Sequence, residues 1–202
     1  MRRALVALVA CGAPVAPIAN QHHEPTVAEI MDGALAALGG RARLAQARTI
    51  HTVEAVTEKD ESHAIETWVV RPDRVRQDYS TMGHTQTTVA DGDGGWASSD
   101  GYPMPLVGSM HDDLLRASLA PLASDWRTAY PHVTLVGRTR FADQPAFAVA
   151  YGDASTHYFA TTTLRELGFD DGTRVTVIRT FELDAPIDGE LFAQPAPRLD
   201  PP

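Results

Sequence analysis

Strict alternation of apolar and polar residues recurs along this chain in two blocks, and it constrains the fold more than any other feature. Residues 49–58 (TIHTVEAVTE), 63–70 (HAIETWVV), 73–80, 84–90 (HTQTTVA) and a short stretch around Trp96 form the first block. Residues 132–140 (HVTLVGRTR), 145–151 (PAFAVAY), 155–160 (STHYFA), about 163–167 and 174–183 (RVTVIRTFEL) form the second. Successive side chains of an extended backbone point to opposite faces, so this period predicts strands. The links are short and rich in turn residues: Lys59-Asp60-Glu61-Ser62, Asp91-Gly92-Asp93-Gly94-Gly95 and Asp170-Asp171-Gly172-Thr173. Such links join antiparallel neighbours, because a parallel return needs a crossover of about a dozen residues or more. An antiparallel sheet of some ten strands must curl, close or have its faces covered.

Each block follows a helical stripe. Thr26-Val27-Ala28-Glu29 reads as a capping box, and apolar residues then recur at Val27, Ile30, Met31, Ala34, Leu35 and Leu38 before Gly39-Gly40 ends the helix. A short second helix is expected over 41–47. Ser109 caps another helix over 109–122, with Asp112-Asp113 in its first turn and Met110, Leu114, Leu115, Leu119 and Leu122 on its apolar face. Pro121 is expected to bend or split it, and 101–108 reads as an irregular connection. The expected class is α+β: a strongly curved antiparallel sheet, a half-open β-barrel of about 9–11 strands, with helices covering the concave face.

The faces can be assigned strand by strand. Val75, Gln77 and Tyr79 oppose Arg74, Arg76 and Asp78. Phe147, Val149 and Tyr151 oppose Ala146, Ala148 and Ala150. Val175, Val177 and Phe181 oppose Ile178. Ile65 and Trp68 are three apart, so both face inward only if a bulge intervenes.

Charge and cysteine usage exclude several function classes. With 17 basic and 26 acidic residues in 202, the net charge is −9, the wrong sign for general nucleic-acid binding. No run of 18 apolar residues marks a membrane helix. The single cysteine, Cys11, allows neither an internal disulfide nor a cysteine metal cage. Eight histidines occur without His-x-His or HExxH spacing. The pair His22-His23 sits in a proline-rich stretch and reads as tether, so no metal and no cofactor is expected. Ser109 lacks the second glycine of a nucleophile elbow, so a hydrolase built on it would need partners assembled from far along the chain. The acidic turn at 91–95 lacks the ligand pattern of a calcium loop.

The N-terminus, Met1-Arg2-Arg3 followed by the apolar run Ala4 to Ala10, reads as a secretory leader. Its end, Leu8-Val9-Ala10-Cys11-Gly12, resembles the bacterial lipobox, which implies lipidation at Cys11. The expected organisation is a signal peptide over 1–11, a flexible tether over 12–25, one domain over 26–195 and a loose tail over 196–202.

Four segments together resemble the LolA/LolB-like family of outer-membrane lipoprotein-sorting proteins: AEIMDGALAALGGRARLAQARTI (28–50), TWVVRPDRVRQDYS (67–80), DWRTAYPHVTLVGRTRFADQPAFAVAY (125–151) and APIDGELFAQP (185–195). The resemblance implies a non-enzymatic periplasmic carrier or receptor. It would hold lipoprotein acyl chains or free lipid in an apolar cavity, act as a monomer, and attach to the outer membrane if Cys11 is modified. The candidate cavity residues are Ile65, Trp68, Val70, Val75, Tyr79, Trp96, Leu115, Leu119, Phe147, Val149 and Phe159. An envelope-stress sensor on the same fold is the alternative function, and a Ser109 hydrolase is a remote one.

Overall fold

A computed structural model describes residues 24–99, 101–106, 109–123 and 125–196, with side chains described except at 118–123. The leader, Cys11, the Leu119 side chain, and nearly all of the tether and tail lie outside these. Helix α1 spans Val27–Ala37 and α2 Gly40–Gln46. Strands follow at β1 (Thr49–Glu58), β2 (Glu61–Val70), β3 (Arg74–Thr81), β4 (His84–Asp91), β5 (Gly94–Ser99) and β6 (Tyr102–Pro105). Helices α3 (Met110–Ala123) and α4 (Trp126–Ala129) lead into β7 (Val133–Phe141), β8 (Gln144–Tyr151), β9 (Ser155–Ala160), β10 (Glu166–Asp170) and β11 (Arg174–Leu183).

The capping box forms as the sequence predicts. The Glu29 amide donates to Thr26 Oγ1 at 3.2 Å, and the Thr26 amide donates to the Glu29 carboxylate at 2.7 Å. Gly39, at φ 93°, turns the chain through the left-handed region between α1 and α2, a conformation that side-chain-bearing residues adopt only at a cost. Gly33 serves α1 differently. A Cβ there would fall 2.2 Å from Leu164 Cδ1, so the absent side chain lets the β9–β10 loop approach the helix.

All eleven strands form one antiparallel, curved and unclosed sheet in the order β6-β5-β4-β3-β2-β1-β11-β10-β9-β8-β7. The first block meanders outward from β1. The second starts at the far edge and meanders inward until β11 pairs with β1. The link from β6 to β7 therefore carries α3 and α4 from one edge of the sheet to the other.

Three details depart from the sequence reading. Residues 102–105 form an edge strand where an irregular connection is expected; its two prolines suit an edge, where an amide donor is not needed. Helix α3 continues past Pro121 and is not split there. In β11, Glu54 opposes Ile178 and Val53 opposes Thr180, so Arg179 is an extra, bulged residue. The bulge reverses the alternation, and Ile178 and Phe181 then share one face instead of opposing each other.

Both faces of the sheet carry cores. On one face Ile30 and Met31 of α1 pack on Phe147, Val149 and Phe159. On the same face Leu114 and Leu115 of α3 pack on Ile50, Val69 and Val75. On the other face, residues 185–193 cross the first block as a strap, with Phe192 buried against Val89 and Trp96. Ala185 O accepts from Thr49 Oγ1 at 2.8 Å, Leu191 O from Arg76 at 2.5 Å and Phe192 O from Trp96 Nε1 at 3.2 Å. Arg76 and Asp78, which alternation places opposite Val75, Gln77 and Tyr79, lie half-buried there as an ion pair 2.8 Å long.

Candidate functional site: a cavity between sheet and helices

The two helix-covered cores do not meet. Between them lies a cavity of about 1330 Å³, larger than the about 300–1,000 Å³ of an ordinary small-molecule site. Its sheet wall carries Ile50 and Val69 from β1 and β2, Ile178 and Phe181 from β11, Phe169 from β10 and Phe159 from β9. Its helix wall carries Met31, Ala34 and Leu35 of α1, Leu38, and Leu44 of α2, with Trp126 of α4 at one side. Thr52, Thr67 and Gln77 add neutral polar groups. Such a wall removes apolar surface from water at about 0.8 kcal/mol per CH₂ without requiring polar contacts.

Of the sequence candidates, Phe159 lines this cavity. Val75 is buried beneath Leu114 and Leu115. Phe147 and Val149 are buried beneath α1. Ile65 opposes Tyr79 without a register shift between β2 and β3, so the two share the cavity-side face, half-buried but away from the cavity wall. Trp68, Val70 and Trp96 occupy the opposite face under the strap. No bulge interrupts β2, so the odd spacing of Ile65 and Trp68 puts them on opposite faces.

The residues that sequence reasoning missed include those supplied by α1 and α2, Trp126 of α4, and Ile50, Val69, Phe169, Ile178 and Phe181 of the sheet. The helical stripe of α1 was legible as an apolar face, but not as one only partly filled by contacts. The Ile178–Phe181 pairing depended on the bulge.

A few ionisable groups interrupt the wall. Burial pushes the Glu54 carboxyl above its ordinary value, the like charge of Glu166 adds to this, and Arg174 opposes it. Glu166 accepts from His157 Nδ1 at 2.6 Å, and His157 Nε2 lies 3.0 Å from Ser155 Oγ. The His157 ring also stacks between Tyr151 at 4.0 Å and Phe169 at 5.3 Å. This order of partners is that of a nucleophile relay. Ser155 itself does not line the cavity, and the chain of bonds braces β9 against β10. Burial likewise pushes the Tyr151 phenol up, keeping it neutral. Ser109, far from this cluster, accepts the Asp113 amide through its carbonyl and starts α3. The neighbouring His111 bonds Asp112 at 3.0 Å and Gly92 O at 2.8 Å, pinning α3 to the β4–β5 turn. Among the described residues no three His, Cys, Asp or Glu side chains gather as a metal-binding group, and no helix is long and apolar enough to cross a membrane.

The position of Glu54 carries a pH prediction. Its folded-state value lies above the ordinary 4.5. The stability it contributes is therefore full below that value and is lost as pH rises through the folded-state value. Glu54→Gln should stabilise the protein by about 1 kcal/mol at about pH 7 and leave it unchanged at about pH 4. Urea midpoints at the two pH values test this; equal midpoints at the higher pH would show that Glu54 is solvated.

No family model matches this chain, and no curated protein matches it. Among solved structures, MucB is similar at 20% identity over 80% of this chain, with a TM-score of 0.39; this chain covers 64% of that one. LprF from Mycobacterium bovis is similar at 13% identity, over 83% of this chain and 94% of that one, with a TM-score of 0.42. A DUF1329 family protein from Desulfovibrio piger is similar at 9% identity, over 81% and 96% of the two chains, with a TM-score of 0.37.

Proposed function

We propose that this protein is a non-enzymatic envelope protein that binds the acyl chains of a lipid or lipoprotein in the cavity between its sheet and its helices, the helices serving as a cover over the hollow side. The observation that carries this reading is a cavity of about 1330 Å³ walled by aliphatic and aromatic side chains from both layers. In a space of that size the aliphatic and aromatic lining faces water, and burying that apolar surface is favourable. An acyl occupant buries it. The sequence resemblance to LolA/LolB-like proteins supports the same reading, and with it a periplasmic location and attachment through Cys11.

The direct test blocks the cavity from its floor. Thr52 lies on β1, half-buried and facing the void. Thr52→Trp should place an indole among Ile50, Val69 and Phe181 and reduce uptake of a fluorescent palmitoyl probe by about tenfold or more, with the melting temperature unchanged or raised. Undiminished uptake would move the binding site elsewhere. Native mass spectrometry of the full-length protein should show co-purified lipid with its ester bonds intact. Ester hydrolysis that disappears in Ser155→Ala or Ser109→Ala would replace carriage with catalysis.

A further inference from the structure

Many arginines of this acidic chain are matched to carboxylates: Arg43 to Asp184, Arg74 to Asp91 at 2.7 Å, Arg76 to Asp78 at 2.8 Å, Arg127 to Asp32 at 2.7 Å and Arg174 to Asp171 at 2.7 Å. Three that line the cavity are not. Among the described residues, Arg71, Arg165 and Arg179 have no carboxylate within ion-pair distance. Arg71 donates one N–H to Ala45 O at 2.9 Å, and Arg165 donates one to Phe181 O at 3.3 Å. A guanidinium carries five donors, so most of those on all three remain unused by the protein.

Register places Arg165 and Arg179 near each other and Arg71 further along the same wall. The Arg71 amide bonds Arg48 O, immediately before β1. The Arg165 guanidinium bonds the carbonyl of Phe181, which opposes Thr52 of β1. Arg179 is the bulged residue opposite Val53 and Glu54. At roughly 3.3 Å per residue Arg165 and Arg179 differ in level by only about one or two residues of β1, and both are solvent-exposed, whereas Arg71 sits at the start of that strand. The acidic groups on the same wall do not pair with them: Glu166 bonds His157 instead, and burial disfavours the charged form of Glu54. A cleft with low-dielectric walls focuses such a positive field, here on a protein whose net charge is −9.

Resting on the reading of the cavity as an acyl-chain site, we propose that its ligand is an anionic amphiphile whose phosphate or carboxylate head lies against Arg165 and Arg179, with Arg71 adding positive charge further along the wall, while its chains run beneath α1. Planar guanidinium groups recognise such heads through paired, charge-assisted hydrogen bonds. The arginines thereby select among lipids that the apolar wall alone would bind alike.

The experiment uses the full-length protein and three probes that each carry one sixteen-carbon chain, each below its micelle threshold: palmitoyl lysophosphatidic acid, monopalmitoylglycerol and hexadecyltrimethylammonium. Inorganic phosphate alone is the fourth arm. Lysophosphatidic acid should bind about tenfold or more tighter than the neutral glyceride, with the advantage shrinking as salt is added. The double variant Arg165→Gln, Arg179→Gln should erase that advantage, so that lysophosphatidic acid and the glyceride bind alike. Arg71 is left intact there because it also bonds α2. Equal affinity for all three heads overturns the inference and leaves acyl-chain binding standing. Uptake of none of them overturns acyl-chain binding and the inference together. Inorganic phosphate that binds as tightly as lysophosphatidic acid makes the arginines a free-anion site and also overturns the proposal.

Discussion

Ile30→Ala is expected to cost about 2–4 kcal/mol of folding stability, while Leu35→Ala, little more than one turn along the same helix, should cost less than about 1 kcal/mol. The two side chains are nearly isomeric and both belong to the apolar stripe of α1. Ile30 is 0% exposed and packs among Phe147, Val149 and Phe159, so truncating it leaves a hole in a filled core. Leu35 is half-buried and faces the cavity, so truncating it only widens a space already there. Against a total stability of about 5–15 kcal/mol, the first loss should shift the urea midpoint plainly and the second barely. Equal costs would mean that the cavity closes in solution and that Leu35 is ordinary core. The pair thus reads the presence of the void without any ligand.

Phe192→Ala is expected to cost about 3–5 kcal/mol and to shift tryptophan emission to the red. Phe192 is 4% exposed, lies against Val89 and Trp96, and has the Arg74 guanidinium 4.2 Å above its ring. It anchors the strap that covers Trp68, Val70 and Trp96 on the side of the sheet away from the cavity. Without that anchor, water reaches Trp96, which is 7% exposed in the intact protein. A loss below about 1 kcal/mol with unchanged emission would show that the strap contributes little. The same variant should leave acyl-probe uptake by the remaining folded protein unaltered, because the strap and the cavity lie on opposite faces.

Much of the architecture was legible in the residues. The capping box at Thr26 and Glu29, the stripe from Val27 to Leu38, the acidic hairpin turn after β4 and the alternation of Val75, Gln77 and Tyr79 all depend on neighbours a few positions apart, and all appear in the structure. Strand β6 was hidden because its two prolines suppress the strand signal everywhere but at an edge. The β11 face assignment failed at one residue, Arg179, because a bulge is a property of two paired strands and not of either alone.

The candidate site was less legible. Trp68, Val70 and Trp96 have the size and apolarity of lining residues, yet they sit beneath the strap. Arg76 and Asp78 alternate like solvent-facing charges, yet they form a half-buried pair that bonds that strap through Leu191. Alternation tells which side chains share a face, because it follows from the geometry of the extended backbone. It carries no information about what lies above that face.

By itself the sequence determined the helix-then-meander order, the antiparallel pairing of consecutive strands and the partition of most residues between two faces, since short links and local sterics decide these. Only the tertiary structure decided that β11 closes against β1, that the strap covers one face, and that the helices leave a void on the other. Those outcomes depend on contacts between residues up to more than a hundred positions apart, such as Thr49 with Ala185 and Met31 with Tyr151. Whether an apolar side chain ends in a filled core or on the wall of a cavity depends on how far two separately folded layers can approach, and no local pattern encodes that distance.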